Sequence, residues 1–245
     1  DGTQEVVGTT FIDDCQWNRL SEYTIGSGVT HNAVNGRISL SATPSRKPIL
    51  VFKSQFESGL LQYTAAASDD AATTLLYVIL AWDGTTVVDG LPANCIAVKH
   101  NMRPFSWPWN VISISPDGVQ TVISSGRLRA VVMNTPYRFA VRFSPTNVTL
   151  YFEGEELLTT PVTAPSGTVV GFATSNEVGT RYHYLSNISL IGLESNSTNG
   201  IAACIPPIGG GARYGEQEKV YKQLVNAAKF GEYKTTASIK TTNAD

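Results

Sequence analysis

The sequence is short of charge. Charged residues make up 16% of the 245-residue chain, against about 25% in ordinary soluble domains. The formal net charge is -2, which gives no general attraction to nucleic acid or to acidic membranes. No apolar run approaches the roughly 18 residues that a membrane-spanning helix needs. The composition therefore argues against nucleic-acid partners and membrane insertion, and predicts a surface built mostly of Ser, Thr, Asn and Gln.

Cysteine is scarce and odd in number, so at least one thiol stays unpaired and disulfides do not organise the fold. The three residues are Cys15, Cys95 and Cys204. We expect them to be small buried side chains, with a single disulfide as the alternative.

Histidine is equally scarce, and no histidine has a nucleophile beside it in a recognisable catalytic pattern. The three residues are His31, His100 and His183. We expect them in loops or on the surface. Metal-ligand spacing is absent, and the run Gly209-Gly210-Gly211 lacks the Lys-Ser/Thr that a phosphate-binding loop requires. The sequence therefore predicts no cofactor and no His or Cys metal site.

What the chain does have is strand signals. Hydrophobic residues make up 42% of it, and they fall in short runs rich in Val, Ile, Thr, Tyr and Phe between turn residues. The predicted strands are residues 37–40, 49–56, 60–67, 74–81, 110–115, 119–124, 127–133, 137–143, 148–152, 156–159, 169–174 and 183–191. Such a pattern predicts an all-β chain, folded as a two-sheet antiparallel β-sandwich or a barrel.

Residues 137–160 show the clearest alternation. Tyr137, Phe139, Val141 and Phe143 share one face of a strand. The following strands repeat the pattern after turns at residues 144–147 and 153–155. This meander is typical of an antiparallel sheet with one face in the core.

The C-terminal part reads differently. Residues 205–211 form a Pro/Gly breaker cluster, which we interpret as the boundary between a β-sandwich domain, 1–204, and a terminal segment, 205–245. Residues 216–230 have helical periodicity, and we expect them to form an assembly arm. A helix of about four turns is marginal alone, so it docks either on its own sandwich or on a neighbouring subunit. The arm residues are Val220, Tyr221, Leu224 and Val225.

Four stretches in order carry a family resemblance. They are residues 11–17 (FIDDCQW), 34–40 (VNGRISL), 137–159 and 171–190. Together they resemble the concanavalin A-like, laminin-G-like jelly-roll superfamily, which implies two stacked sheets of six or seven strands. Members include lectins, glycoside hydrolases, and adhesin or virion modules.

The resemblance also allows a test for catalysis. The hydrolases of this superfamily carry paired carboxylates as E-x-D-x-x-E on one strand, and no such motif occurs here. Asp13-Asp14 and Asp69-Asp70 are adjacent pairs, so on a strand their side chains would point to opposite faces. We therefore expect no enzyme. Legume-type relatives bind calcium through loop Asp and Asn residues, which leaves Asp83, Asp89 and Asn94 as loose candidates.

Two loops are the candidate contact surfaces. Residues 99–110 bring His100, Asn101, Arg103, Trp107 and Trp109 together. Flat aromatic faces and planar polar groups suit sugars, and the stretch resembles the galectin H-x-N-x-R pattern, although His100 and Asn101 are adjacent here. Protein contact, or packing of the two tryptophans on the sandwich, are the alternatives. The second loop, 175–183, offers Asn176, Glu177 and Arg181. We expect Trp17 and Trp82 in the core.

These features favour a non-catalytic structural or attachment module on a virion surface, such as a capsid protrusion, decoration protein or tail adhesin. The first residue, Asp1, indicates a processed or excised chain, and the arm suits contact with neighbouring subunits of a homo- or hetero-oligomer. The alternative is a secreted or cell-surface lectin-like protein that binds a glycan receptor. A glycoside hydrolase ranks third. The expected location is the virion surface or the extracellular space.

Overall fold

The computed structural model describes residues 10–68, 75–101, 106–129, 132 and 134–192. Within these ranges the chain forms seventeen strands and one short 3-10 helix, Leu20–Glu22. The strands are β1 Thr10–Asp13, β2 Tyr23–Ile25, β3 Val29–Asn32, β4 Arg37–Ala42, β5 Ile49–Phe52, β6 Gly59–Ala67, β7 Leu75–Trp82, β8 Val87–Val88, β9 Leu91–Pro92, β10 Cys95–Asn101, β11 Ser106–Ile114, β12 Gln120–Arg129, β13 Tyr137–Phe143, β14 Asn147–Phe152, β15 Glu155–Pro161, β16 Val169–Ser175 and β17 Arg181–Gly192.

The strands form two large antiparallel sheets. The eight-stranded sheet has the order β15-β14-β13-β6-β17-β4-β3, and β1 also pairs with β17. The seven-stranded sheet has the order β12-β11-β10-β7-β16-β5-β2, and β8 and β9 form a separate two-stranded ribbon. This arrangement confirms the predicted all-β class and the two-sheet sandwich.

The main core lies between the two sheets. Alternate side chains of each strand point into it, including Leu61, Tyr63 and Val141 from the eight-stranded sheet and Val78 and Phe172 from the seven-stranded one. The alternation seen in residues 137–160 therefore places Phe139, Val141 and Phe143 inside, as predicted.

A second apolar cluster lies on the outer face of the seven-stranded sheet. It contains Ile79, Ala97 and Ile112, which alternate with core residues along β7, β10 and β11. The segment from residue 83 to residue 94, with its β8–β9 ribbon, supplies Val88 and Leu91 to this cluster. The ribbon therefore covers part of this outer face.

Several predictions of local structure were wrong. The separate strands expected at residues 119–124 and 127–133 are one strand, β12, because Gly126 lies against the Trp109 indole and lets the strand continue. The stretch that begins at Lys99 was taken for a loop, but it contains the end of β10 and most of β11. Trp17 was expected in the core and is 76% exposed, whereas Trp82 is buried as predicted.

The cysteine prediction is confirmed for Cys15 and Cys95, which are buried free thiols. Cys204, the boundary at residues 204–205 and the arm residues Val220, Tyr221, Leu224 and Val225 lie outside the described residues. In the part of the chain that the structure describes, no helix has the length and apolar character to cross a membrane.

Candidate functional site

The outer face of the seven-stranded sheet also carries a polar patch, which adjoins the apolar cluster at Tyr77. Cross-strand register places Tyr77 of β7 beside Lys99 of β10, and Lys99 beside Asn110 of β11. One row further, Leu75 lies between Asn101 and Ser175. We call the following set the polar patch: Tyr77, Lys99, Asn101, Asn110, Gln120, Ser175 and Glu177.

The patch is held together by hydrogen bonds across four strands. Lys99 Nζ donates to Gln120 Oε1 at 3.0 Å, and Nζ lies 5.9 Å from the centroid of the Tyr77 ring. Burial raises the pKa of Tyr77, while side-chain hydrogen bonds with Ser175 and Gln120 act in the opposite direction. The tyrosine is therefore a neutral hydrogen-bonding group at neutral pH.

Lys99 and Glu177 form the charged part of the patch. Partial burial lowers the pKa of Lys99, and the negative charge of Glu177 partly restores it. The Lys99 amine and the Glu177 carboxylate are therefore close enough to influence each other's charge. The remaining patch groups are amides and hydroxyls, which donate and accept hydrogen bonds but do not transfer protons readily.

The seven-stranded sheet lacks the carboxylates that glycosidases use. Glycoside hydrolysis needs two of them on either side of the bond, roughly 5 to 10 Å apart. All seven strands of this sheet lie within the described residues, and their sequences contain no Asp or Glu. Glu177 lies in the loop after β16. The patch itself contains one carboxylate, that of Glu177.

The fold brings the two predicted loops to the same end of the sandwich. Asn101 ends β10 and Ser175 ends β16, and both pair with Leu75. In the second loop, Asn176 is buried and its Nδ2 donates to the carbonyls of Val178 at 2.7 Å and Gly179 at 3.1 Å.

Asn176 therefore shapes the loop rather than contacting a ligand. Glu177 is an exposed member of the patch, and Arg181 begins β17 half-buried. Of this loop's predicted contact residues, Glu177 is the one that is exposed.

His100 requires a correction. It lies one residue from Asn101 on β10, so its side chain points to the opposite face, into the core, where it is fully buried. Its Nε2 lies 2.9 Å from the hydroxyl of Tyr63. Burial lowers the pKa of His100 to about 3, so the ring is neutral at neutral pH. His100 cannot contact an external ligand in this structure.

His183 is likewise fully buried, and the expectation of loop or surface histidines was wrong for both residues. Burial lowers the pKa of His183 to about 3, with a smaller contribution from His100. His31 differs: it is half-buried on β3, and its Nε2 lies 2.8 Å from the carbonyl oxygen of Cys15.

The tryptophans of the first loop do not form the expected sugar platform. Trp109 is buried on the core face of β11, against Gly126, which matches the alternative of packing on the sandwich. Trp107 lies on β11, but its side chain is outside the described part, and Arg103 is wholly outside it. The alternation of inward and outward side chains along β7 and β10 is the sequence signal that would have identified Tyr77 and Lys99 instead.

In the loop that was considered for calcium, hydrogen-bond donors of the protein already occupy the carboxylate of Asp83. Desolvation alone would raise the pKa of Asp83, but hydrogen bonds from Thr86, Thr85 and Asn94 outweigh it and hold that pKa well below its usual range. Asn94 Nδ2 donates directly to Asp83 Oδ2 at 3.2 Å. Asp89 contributes its backbone carbonyl to Lys47. Among the described residues, no three His, Cys, Asp or Glu side chains cluster as metal ligands.

Comparison with known proteins finds similarity to solved structures but none at the level of sequence. No family model and no curated protein sequence matches the chain. Among solved structures, a β-glucanase from Bacillus licheniformis superposes with a TM-score of 0.55 at 11% identity, covering 77% of this chain and all of that one. The metal-free carbohydrate recognition domain of Emp46p gives 0.57 at 14%, covering 78% and 98%.

A third structure is the carbohydrate-binding module CBM66 from Bacillus subtilis, with a TM-score of 0.52 at 8% identity, covering 69% of this chain and 94% of that one. Identities this low establish the shared architecture and not a shared activity. The sheet order, the core between the sheets and these superpositions agree with the resemblance found in the sequence: the chain has the concanavalin A-like jelly-roll fold.

Proposed function

We propose that this domain is a non-catalytic, lectin-like module that binds carbohydrate through the polar patch. The proposal follows the alternative interpretation of the sequence, because similar structures include a carbohydrate recognition domain and a carbohydrate-binding module. Their ligands are properties of those proteins, and the support from this chain is the patch itself.

The observation that carries the proposal is the chemistry of the patch. Sugar hydroxyls need convergent donors and acceptors on a rigid base. Asn110, Lys99 and Gln120 supply such groups from three adjacent strands. Tyr77 adds a neutral phenol beneath them. The apolar cluster of the same sheet face adjoins the patch.

Hydrolysis is the weaker alternative for this surface. The fold is shared with a β-glucanase, but the strands under the patch carry no acidic side chain to act as nucleophile or acid. Cleavage of a β-glucan that a single Asp or Glu substitution abolishes would restore the enzyme interpretation.

The virion assignment stays a prediction, as do the neighbouring subunits and the virion-surface or extracellular location. One of its supports, the arm of residues 216–230, lies outside the described residues. A module that binds a glycan receptor is compatible with either setting, because both the virion and the secreted alternatives need the same contact surface.

A glycan array followed by titration of the best ligand tests the proposal. We expect Asn110→Ala and Lys99→Gln each to weaken binding by about fivefold to tenfold, since each removes about one hydrogen bond from the ligand. Asn35→Ala is the matched control, because Asn35 is exposed in the turn between β3 and β4 and should leave affinity unchanged.

Circular dichroism and the urea midpoint of each variant must match the wild type for the comparison to count. A wild-type domain that binds no array glycan, or one whose affinity neither patch substitution changes, contradicts the proposal.

A further inference from the structure

Strand β12 forms an open edge of the seven-stranded sheet. It is ten residues long, and within the described part of the chain it pairs with β11 alone. Val119, directly before the strand, and Val122 and Ile123 within it are exposed at 58%, 57% and 39%. An edge that offers backbone hydrogen-bonding groups beside exposed apolar side chains is a template for another strand.

The composition of β12 distinguishes it from the long edge strand of the other sheet. That strand, β15, carries Glu155 and Glu156 and ends at Pro161, and edge charges and proline discourage strand pairing. Residues 119–126 (VQTVISSG) contain neither a charge nor a proline and are rich in β-branched side chains. Of the two long edges, β12 is therefore the one suited to accept a strand.

The charges at the two ends of this edge indicate which strand fits it. Asp117, in the turn before β12, and Arg127, towards the far end of β12, are both exposed, and neither forms a salt bridge with another described residue. Two copies related by a two-fold axis across this edge pair their strands antiparallel. With the axis near Val122, the Asp117 end of each strand meets the Arg127 end of the other, which gives two contacts between opposite charges.

The irregularity of β12 is compatible with this symmetry. Its pairing with β11 contains a bulge between Val111 and Ile112, at which Ile123 is the extra residue on β12. A bulge increases the local twist and discourages pairing with a regular strand. A two-fold axis near Val122 places the bulges of both copies side by side, so the two strands have the same twist. A second copy therefore fits this edge better than an unrelated regular strand.

We propose that β12 is a homodimer interface, at which a second copy of the chain adds its own β12 antiparallel and joins the two seven-stranded sheets into one. The interface itself does not depend on the proposed function. Because the two-fold axis is perpendicular to the joined sheet, the outer faces of both copies lie on the same side. The two polar patches then face a ligand with repeated sugar units together, which raises avidity; this consequence alone rests on the proposed function.

Sedimentation velocity of the full chain across a concentration series tests the interface. We expect reversible dimerisation between about 5 and about 200 µM, because a single added strand pair lies at the small end of specific interfaces, below about 1,200 Å². Val122→Lys should weaken dimerisation by about tenfold or more, since it places two like charges together at the axis. Val34→Lys is the matched control: Val34 is 94% exposed in the turn between β3 and β4, and the same change there should leave the dimer intact.

An exchange of charge tests the antiparallel arrangement. Asp117→Arg and Arg127→Asp each bring like charges together at both ends of the interface and should weaken the homodimer by about tenfold. An equimolar mixture of the two variants restores both contacts between opposite charges, so dimerisation should return to near the wild-type level. Circular dichroism and the urea midpoint of each variant must match the wild type.

Asn110→Ala in the polar patch should leave dimerisation unchanged, so this test and the test of the proposed function fail independently. A wild type that stays monomeric at about 200 µM overturns the proposal and assigns the edge to another segment of the chain or to a different protein. A dimer that Val122→Lys does not weaken, or charge variants whose mixture associates no better than each variant alone, overturns it as well.

Discussion

Tyr63 shows how a single buried polar group is stabilised in this sandwich. It is fully buried, its hydroxyl contacts His100 Nε2 at 2.9 Å, and its ring stacks on Phe139 at a centroid distance of 5.5 Å. The hydroxyl and the imidazole thus satisfy each other in an interior where an unpaired polar atom is costly.

We expect Tyr63→Phe to lower the free energy of unfolding by about 1 to 3 kcal/mol, because the ring survives but His100 Nε2 loses this partner. Urea unfolding measures the change. Tyr182→Phe is the control, since that hydroxyl is on the surface and its loss should change stability by less than about 0.5 kcal/mol. Equal stability of wild type and Tyr63→Phe would show that the hydrogen bond contributes nothing.

The same residues explain why sequence reasoning misplaced part of the site. His100 and Asn101 are neighbours in the chain but face opposite sides of β10. Once a segment is taken for a loop, alternation no longer assigns a face to each side chain. Trp109 and His100 therefore looked available, while Lys99, on the face that carries the patch, was not singled out.

At the scale of elements, the contact between β16 and β5 depends on one glycine. A Cβ on Gly171 would lie 2.4 Å from the carbonyl oxygen of Leu50 and 2.6 Å from the Cα of Val51. Both are backbone atoms of the neighbouring strand and cannot move aside as a flexible side chain does. The close approach draws β5 against the central strands of the seven-stranded sheet.

Gly171→Ala should therefore destabilise the domain by about 3 kcal/mol, at the upper end of the usual cost of overpacking. Gly154→Ala is the control: it lies in the β14–β15 turn with a φ of +95° and nothing within 4 Å, so only backbone strain of about 1 kcal/mol applies. Thermal unfolding of the two variants side by side makes the comparison, and a smaller loss for Gly171→Ala than for Gly154→Ala contradicts it.

Some elements were predictable because their signals are local. Strand β13 was predicted with the bounds it has, Tyr137–Phe143, and the turn before β15 was predicted from Glu153-Gly154-Glu155. Strand β10 was not assigned, since its last three residues, Lys99, His100 and Asn101, are polar. They belong in a strand because β7 and β11 pair with β10 on its two sides. The pairing with β7 depends on residues about 20 positions away in the chain, which a local sequence pattern does not reveal.

At the scale of the whole molecule, two buried histidines make stability depend on pH. His100 and His183 come from different sheets and are both fully buried. Burial lowers both pKa values to about 3, against about 6.5 in the unfolded chain. The folded state thus binds fewer protons than the unfolded state between these values, and stability falls as pH falls.

We expect the free energy of unfolding to be constant above pH 7 and to drop between about pH 6.5 and 4.5, with a slope approaching 1.4 kcal/mol per pH unit for each histidine. Carboxylates titrate mostly below this window. Urea unfolding across the pH series measures the slope, and His183→Leu should reduce it. A stability that stays flat from pH 7 to 4.5 would contradict the neutral, buried state of both rings.

The sequence by itself determined the all-β class, the one-sided alternation of residues 137–160 and the jelly-roll resemblance, because these depend on local periodicity and turn chemistry. Only the tertiary structure decided which side chains share a surface. The polar patch joins Tyr77, Lys99 and Ser175, and the guanidinium of Arg37 lies over the ring of Tyr184, in each case from strands distant in sequence. Register between such strands is set by the packing of the whole sandwich, which no single segment encodes.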